Sequence, residues 1–460
     1  MTHYQLIVIG AGPGGYMAAL QGAKNGLKTA VVENREAGGT CLNRGCIPTK
    51  TLLHSSEIYS NAVNGAHAGI NVRDIQADIP AIFAYKRQIS EKLSGGIESL
   101  FKAAKVDLIR GTATITAPGG IEVTDSEGQK AAYTADNILI ATGSVPAMPP
   151  IPGLDLPGVM NSDTLLEGAD HLYESIVIIG GGVIGVEFAT FYSELGCKVT
   201  IIEGLDRLLP NMDRELGQNL AMILKKQGVA IHTGAMVKQV RKTGDGLEVD
   251  FTAKDAENTV SGEVVLCAIG RRPNTAGLFA EEVAVEMNGR SIAVDEKYQT
   301  SIPGIYAIGD VSSKIQLAHV ATAEGIACVD GICGKQSSVN MSIVPSCIYC
   351  RPEIAVVGMT EAEAKEAGLE PRVGKCAMFG NARTLIADTG RSFMKVVARG
   401  DTGEIIGAQL MCEHSTDIIS QLGEAIANRL TASQLLLAMR PHPTFEEALT
   451  DALTDLQAKL

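Results

Sequence analysis

Apolar runs broken by glycine turns set the pattern of this chain. Residues 6–9, Leu-Ile-Val-Ile, run into a glycine turn and a segment that predicts a helix, and a second apolar run ends at Glu33. The pattern returns 170 residues later, with a strand over 176–179, a turn, a helix and a strand ending at Glu203. Gly10, Gly12, Gly15, Gly26 and Glu33 are matched by Gly180, Gly182, Gly185, Gly196 and Glu203. Further apolar strands are expected at 264–268, before Gly270-Arg271-Arg272-Pro273-Asn274, and at 305–308, before Gly309-Asp310. Residues 145–158, rich in Pro and Gly, read as a crossover. From about residue 336 the pattern changes. Antiparallel strands are expected at 353–358 and within 394–410, the latter turning near 400–403. Thr360 and Glu363 have capping-box spacing, and 415–427 predicts a helix. This region reads as a separate α+β domain.

Each repeated glycine has a physical task. The first makes the turn, the second lets backbone approach a pyrophosphate, and the third lets helix pack close on sheet. The helix N-terminus stabilises phosphate charge. The acidic residue, 18 positions past the third glycine, can accept hydrogen bonds from a ribose hydroxyl. One such fingerprint is weak; two with identical spacing and strand–helix context point to two dinucleotide sites. Glu203 in the second copy predicts NAD over NADP, because a carboxylate repels a 2′-phosphate.

Composition narrows the class. A chain of 460 residues supports two or three domains, and a net charge of −13 argues against general nucleic-acid binding. Ten scattered cysteines fit free thiols in a reducing cytoplasm. No signal peptide or membrane-spanning run is evident.

Cys41 and Cys46 lie in Gly-Gly-Thr-Cys-Leu-Asn-Arg-Gly-Cys-Ile-Pro-Thr-Lys, just beyond the first fingerprint. Two thiols so placed suggest a pair that exchanges electrons with a bound flavin, and without nearby His or further Cys they make a poor zinc site. Cys347 and Cys350 read instead as core thiols on opposite faces of a strand. Cys328 and Cys333 read as structural, His319 as a packing residue at a helix start, and His414 as an interface or surface group.

Taken with Ala141-Thr142-Gly143, the run Gly180 to Glu187, Gly309-Asp310 and His442-Pro443-Thr444-Phe445-Glu446-Glu447, these motifs resemble the pyridine nucleotide-disulfide oxidoreductases (class I) over the whole chain, most nearly their dihydrolipoamide dehydrogenases. The resemblance implies an α/β fold with two Rossmann-like dinucleotide-binding domains and a C-terminal α+β interface domain. Expected bounds are an FAD domain over 1–148 and 269–335, an inserted NAD domain over 149–268, and an interface (dimerisation) domain over 336–460. It implies FAD held by Gly10, Gly12, Gly15, Glu33, Gly143 and Asp310, and NAD held by Gly180, Gly182, Gly185, Glu203 and Gly270. Cys46 would be the thiol against the flavin and Cys41 the interchange thiol. Lys50 and Glu187 would pair beside the flavin, and His442 with Glu447 would form an acid–base pair supplied by the partner of a homodimer. The implied reaction oxidises dihydrolipoamide on a lipoyl-bearing protein of a 2-oxo acid dehydrogenase or glycine-cleavage system.

Departures keep a second substrate open. Arg440 and Pro441 precede His442, where the relatives often carry a second His, and Glu446 stands where they have a smaller or less acidic residue. The alternative is an NAD(P)H-dependent reductase of another disulfide, glutathione-reductase-like, with Arg207 near the second fingerprint. A non-catalytic flavoprotein is the bland reading, opposed by the intact thiol pair and the His442–Glu447 pair.

Overall fold

The two echoed segments build two parallel sheets with one strand order. In the computed structural model, which describes all residues but 245 and 338, the first sheet runs Asp107–Arg110, Thr29–Glu33, Thr2–Ile9, Lys130–Ile140 and Ile305–Ala307. The second runs Ala230–Thr233, Lys198–Glu203, Ser175–Ile179, Val264–Cys267 and Val159–Asn161. The fingerprint strand is central in both. All of Thr29–Glu33 is buried, as expected of parallel strands covered on both faces. Each lobe adds an antiparallel meander before its fourth strand, Thr112–Ala117 with Gly120–Thr124 in the first and Ala235–Lys242, Leu247–Ala253 and Ala256–Gly262 in the second. The echo therefore extends well past the glycines. The lobes differ in the origin of the outermost strand, which comes from far downstream in the first and from just upstream in the second.

Local sterics fix the turns. Gly10 and Gly180 have φ of +103° and +113°, and a Cβ on either would sit 2.4 or 2.5 Å from the carbonyl oxygen of Ala141 or Ala268. Only glycine meets both conditions. A Cβ on Gly15 would lie 1.9 Å from the Gly10 oxygen, and one on Gly185 2.0 Å from that of Gly180. The helices Pro13–Lys24 and Val183–Glu194 thus start directly against their turns.

Between the lobes, Ser144–Pro146 pairs antiparallel with Arg271–Pro273, so the two crossover segments lie side by side. Beyond residue 336 an antiparallel sheet of order Ser346–Ile348, Ile354–Gly358, Ile405–Met411, Phe393–Arg399, Pro371–Ala377 carries the helices Ser415–Ala427 and Glu447–Gln457 on its own apolar core. The Thr360–Glu363 capping box forms as expected. The strand holding Cys347 ends at Ile348, shorter than its flanks suggest. Cys350 therefore lies past it, fully buried with its thiol 3.2 Å from the Pro352 oxygen, and strand alternation does not set its direction. Among the described residues no helix is long and apolar enough to cross a membrane.

Candidate active site

One cavity of about 2070 Å³ runs between the two parallel sheets and reaches the C-terminal domain. That is at least twice the size usual for one small-molecule site. Gly10, Gly12, Glu33, Cys41, Cys46, Lys50, Gly143, Asp310, Gly180, Gly182, Glu187, Glu203 and Gly270 all line it. Gly15 and Gly185 sit behind the turns as helix–sheet contacts. His442 and Glu447 lie elsewhere on the chain.

The two fingerprint turns present matching anion cradles. Among the described residues the helices after Gly12 and Gly182 start without a side-chain cap, which leaves their first amide N–H groups available beside the cavity. A Cβ on Gly12 or Gly182 would meet nothing within 4 Å, which leaves room for a phosphate at the helix end. The acidic residues are anchored alike. Glu33 accepts from the Ala11 and Arg35 amides at 2.7 and 2.8 Å, and Glu203 from the Gly181 and Leu205 amides at 2.6 and 2.7 Å. Both carboxylates are buried, with lone pairs still available to a ribose diol. Arg207, the nearest candidate for a 2′-phosphate, instead bonds Asp206 and the Pro210 oxygen at 3.0 and 2.8 Å and stays out of the cavity wall.

At the first lobe's other edge, Asp310 accepts from the Ser144 hydroxyl at 2.5 Å, and Ser144 accepts from Arg271 Nε at 2.8 Å. Thr142 Oγ1 donates to the Asn274 oxygen at 2.7 Å, and the Asn274 amide donates to the Gly143 oxygen at 2.9 Å. The motifs at 141–143, 270–274 and 309–310 thus form one hydrogen-bonded wall. Sequence reasoning named Asp310, Gly143 and Gly270 but missed Ser144 and Arg271, which connect them. Their adjacency to Gly143 and Gly270 was the available signal.

The thiols sit on consecutive helices. Cys41 lies in the short helix Gly39–Arg44, and Cys46 is the first residue of the 18-residue helix Cys46–Val63. The neighbouring Cys41 thiol lowers the Cys46 pKa to about 7, against the opposing effect of desolvation and with help from Lys50. The helix N-terminus favours the same thiolate. Cys41 is pushed far up, since it holds the shared proton and is partly buried. The pair therefore divides into a thiolate at Cys46 and a thiol at Cys41.

Lys50 follows one turn after Cys46, and its Nζ donates to both Glu187 oxygens at 2.9 and 2.8 Å. Burial alone would lower Lys50, but the Glu187 carboxylate outweighs it and the net shift is upward. The Tyr349 amide donates to Glu187 at 3.0 Å, and its ring lies 4.7 Å from Lys50 Nζ. Cys347 and His319 also line the cavity, the His319 ring nitrogen bonding the Pro345 oxygen at 2.9 Å. Cys328 is buried, Cys333 partly so, and His414 is exposed beside Phe445.

His442 and Glu447 form the remaining pair. Glu447 opens the last helix; its Oε1 lies 2.8 Å from His442 Nδ1, and its Oε2 accepts from the Thr444 amide at 2.9 Å. Glu447 is held below the ordinary carboxylate range by the Thr444 amide and then by His442. The His442 side chain is 73% exposed and outside the cavity wall, so a single chain does not bring this imidazole to its own thiols. Exposed Phe379, Leu385, Ile386, Leu437 and Met439 belong to the same domain.

Known proteins share this architecture. The family model described as pyridine nucleotide-disulphide oxidoreductase matches residues 4–325, and the dimerisation domain of that family matches 344–453. A dihydrolipoyl dehydrogenase of Bacillus subtilis is 39% identical over 453 residues, 97% of this chain and 95% of that protein. Dihydrolipoyl dehydrogenase 3 of Pseudomonas putida is 38% identical, covering 98% of each. The Cu(II) complex of the HOCl-induced flavoprotein disulfide reductase RclA from Escherichia coli superposes with a TM-score of 0.88 at 30% identity, covering 99% of each chain. Two anion cradles on paired parallel sheets, with a dithiol between them and a dimerisation domain behind, thus have their counterpart in sequence and in structure: the chain belongs to the pyridine nucleotide-disulphide oxidoreductases, FAD-dependent enzymes that work with NAD.

Proposed function

We propose that this protein is a dihydrolipoyl dehydrogenase, oxidising the dihydrolipoamide of a lipoyl-bearing protein of a 2-oxo acid dehydrogenase or glycine-cleavage system and reducing NAD⁺. The observation that carries the reading is the polarised dithiol beside Lys50–Glu187, on a chain near 39% identical to such enzymes over nearly its full length. In this reading residues 1–148 and 269–335 hold FAD through Gly10, Gly12, Gly15, Glu33, Gly143 and Asp310. Residues 149–268 hold NAD through Gly180, Gly182, Gly185 and Glu203, with Gly270 at the junction. Residues 336–460 form the dimer contact. Free thiols scattered through such a chain fit the cytoplasm.

The sulfur roles follow from leaving-group strength. A substrate thiolate attacks Cys41 of the Cys41–Cys46 disulfide, because this expels Cys46, the thiolate of lower pKa. The S–S bond breaks and a mixed disulfide forms on Cys41. The second substrate thiol gives its proton to His442, supplied by the partner protomer, and attacks the substrate sulfur of that mixed disulfide. Cys41 leaves with a proton and the substrate departs as its cyclic disulfide. Glu447 fixes the imidazole through Nδ1 and stabilises its cation, leaving Nε2 to face the thiols. Bound FAD would supply the two-electron path from the dithiol to NAD⁺. The balance is NADH, one proton and a restored Cys41–Cys46 disulfide. Lys50, anchored by Glu187, stabilises the Cys46 thiolate throughout.

The anchored Glu203 and the engaged Arg207 favour NAD over NADP, and with it this reading over a glutathione-type reductase. The test compares NAD⁺ reduction by dihydrolipoamide with NADPH oxidation by glutathione disulfide. Turnover confined to the first supports the assignment; turnover confined to the second sinks it.

A further inference from the structure

The thiol helix Cys46–Val63 is fastened to the helix Val183–Glu194 at two levels. The first is Lys50–Glu187 with the Tyr349 amide. Two turns further along, Glu194 accepts from Ser56 Oγ at 2.6 Å and pairs with Arg351 Nε at 2.9 Å. Arg351 also reaches Glu57 Oε1 at 2.9 Å and donates to Asn61 Oδ1 at 2.9 Å. One guanidinium therefore joins two successive turns of the thiol helix to its neighbour. The Glu194 side chain is 4% exposed, and its burial raises its pKa against the pull of Arg351. Glu413 is raised by burial in the same way. Arg351 thus pairs directly with Glu57 and Glu194 and acts on Glu413 only as a nearby charge, and its planar fork bonds several acceptors at once, which an ammonium cannot match geometrically.

We propose that Arg351 is a positioning residue for the dithiol: reaching from the dimerisation domain, it sets where the thiol helix lies and so where Cys46 and Lys50 are held. The proposal rests on the dithiol reading above. A helix of 18 residues is a rod of about 27 Å, so displacement at Glu57 and Asn61 is carried to its first residue. Without Arg351, Glu57 and Glu194 lose the cation they share and repel one another. The segment Tyr349 to Arg351 touches both fastening levels, so the change also reaches the Glu187 that holds Lys50.

The groups that act on the Cys46 thiol are Cys41 from the preceding helix, Lys50 from its own and Glu187 from the neighbouring one. None of them bonds Arg351 among the described residues, so an effect of Arg351 on Cys46 must travel through geometry. The experiment measures Cys46 alkylation by iodoacetamide against pH in the reduced holoenzyme, with the labelled peptide identified by mass. Arg351→Ala and Glu194→Gln should each raise the midpoint by about one pH unit, a tenfold loss of thiolate at acidic pH. Arg351→Lys should recover only part of it. NADH oxidation by ferricyanide, which bypasses the dithiol, should stay within about twofold while lipoamide turnover falls about tenfold. A folded Arg351→Ala protein with the wild-type midpoint overturns the proposal. If that variant does not fold, Glu194→Gln, which keeps the side-chain shape and the Ser56 contact, decides in the same way. A wild-type Cys46 that titrates like an ordinary thiol would instead remove the dithiol reading beneath it.

Discussion

Gly185→Ala tests both the cofactor assignment and the logic of the fold. The added Cβ would stand 2.0 Å from the Gly180 carbonyl oxygen, so the helix Val183–Glu194 must retreat by about 1 Å. Val186, Phe188, Ala189 and Phe191 on that helix are each at most 1% exposed, so it has no loose face on which to move. Overpacking of this kind costs about 1–3 kcal/mol. At about 1.4 kcal/mol per tenfold, that is roughly 5- to 150-fold in a binding constant if the strain falls on the pyrophosphate cradle. The retreat carries the free amides after Gly182 away from the phosphates, so the Kd for NADH should rise by about tenfold or more while bound FAD is retained. Gly15→Ala is the reciprocal case, with its Cβ 1.9 Å from the Gly10 oxygen, and should lose FAD. Flavin absorbance per chain and NADH titration read the two sites separately. Gly185→Ala protein that loses its flavin yet binds NADH normally would refute both the assignment and the steric argument.

Three further outcomes are expected. In reduced wild-type protein, Cys46 should alkylate with a midpoint near 7; because its pKa is lowered, the reactive thiolate is present above that pH and lost below it. Lys50→Met should raise this midpoint. A charge about 6 Å away, as between i and i+4, at an effective dielectric of about 20–40 is worth roughly 1.4–2.8 kcal/mol, or about one to two pH units; an unmoved midpoint would exclude Lys50 as the stabilising charge. Mixing inactive Cys41→Ser and His442→Gln protomers after dissociation and reassociation should restore roughly a quarter of wild-type turnover, since half the random dimers hold one complete site. No recovery in verified mixed dimers would show that the two residues do not meet across the interface.

Much of this molecule is written locally. Gly15 and Gly185, and Glu33 and Glu203, are fixed by contacts within about 25 residues, between a turn, its own helix and the next strand. Short-range geometry of that kind leaves a spacing in the sequence, and for that reason both cradles were legible. The capping box at Thr360 and the helix Ser415–Ala427 were legible for the same reason. The shared strand order of the two sheets was less so, because the outermost strands, Ile305–Ala307 and Val159–Asn161, come from opposite directions along the chain. Strand pairing between distant segments carries no local mark.

The sequence by itself determined the chemistry on offer: two dinucleotide turns, the thiols at Cys41 and Cys46, an imidazole at His442 and a carboxylate at Glu447. Tertiary structure decided how those groups are tuned. Cys46 is acidified because it starts a helix beside Cys41, one turn before Lys50. Lys50 stays charged because Glu187, 137 residues away, is buried against it. Arg351 gave no signal in the sequence, since its worth lies in bonding Glu57, Asn61 and Glu194 together. Electrostatic tuning depends on distance and burial, and long-range packing sets both.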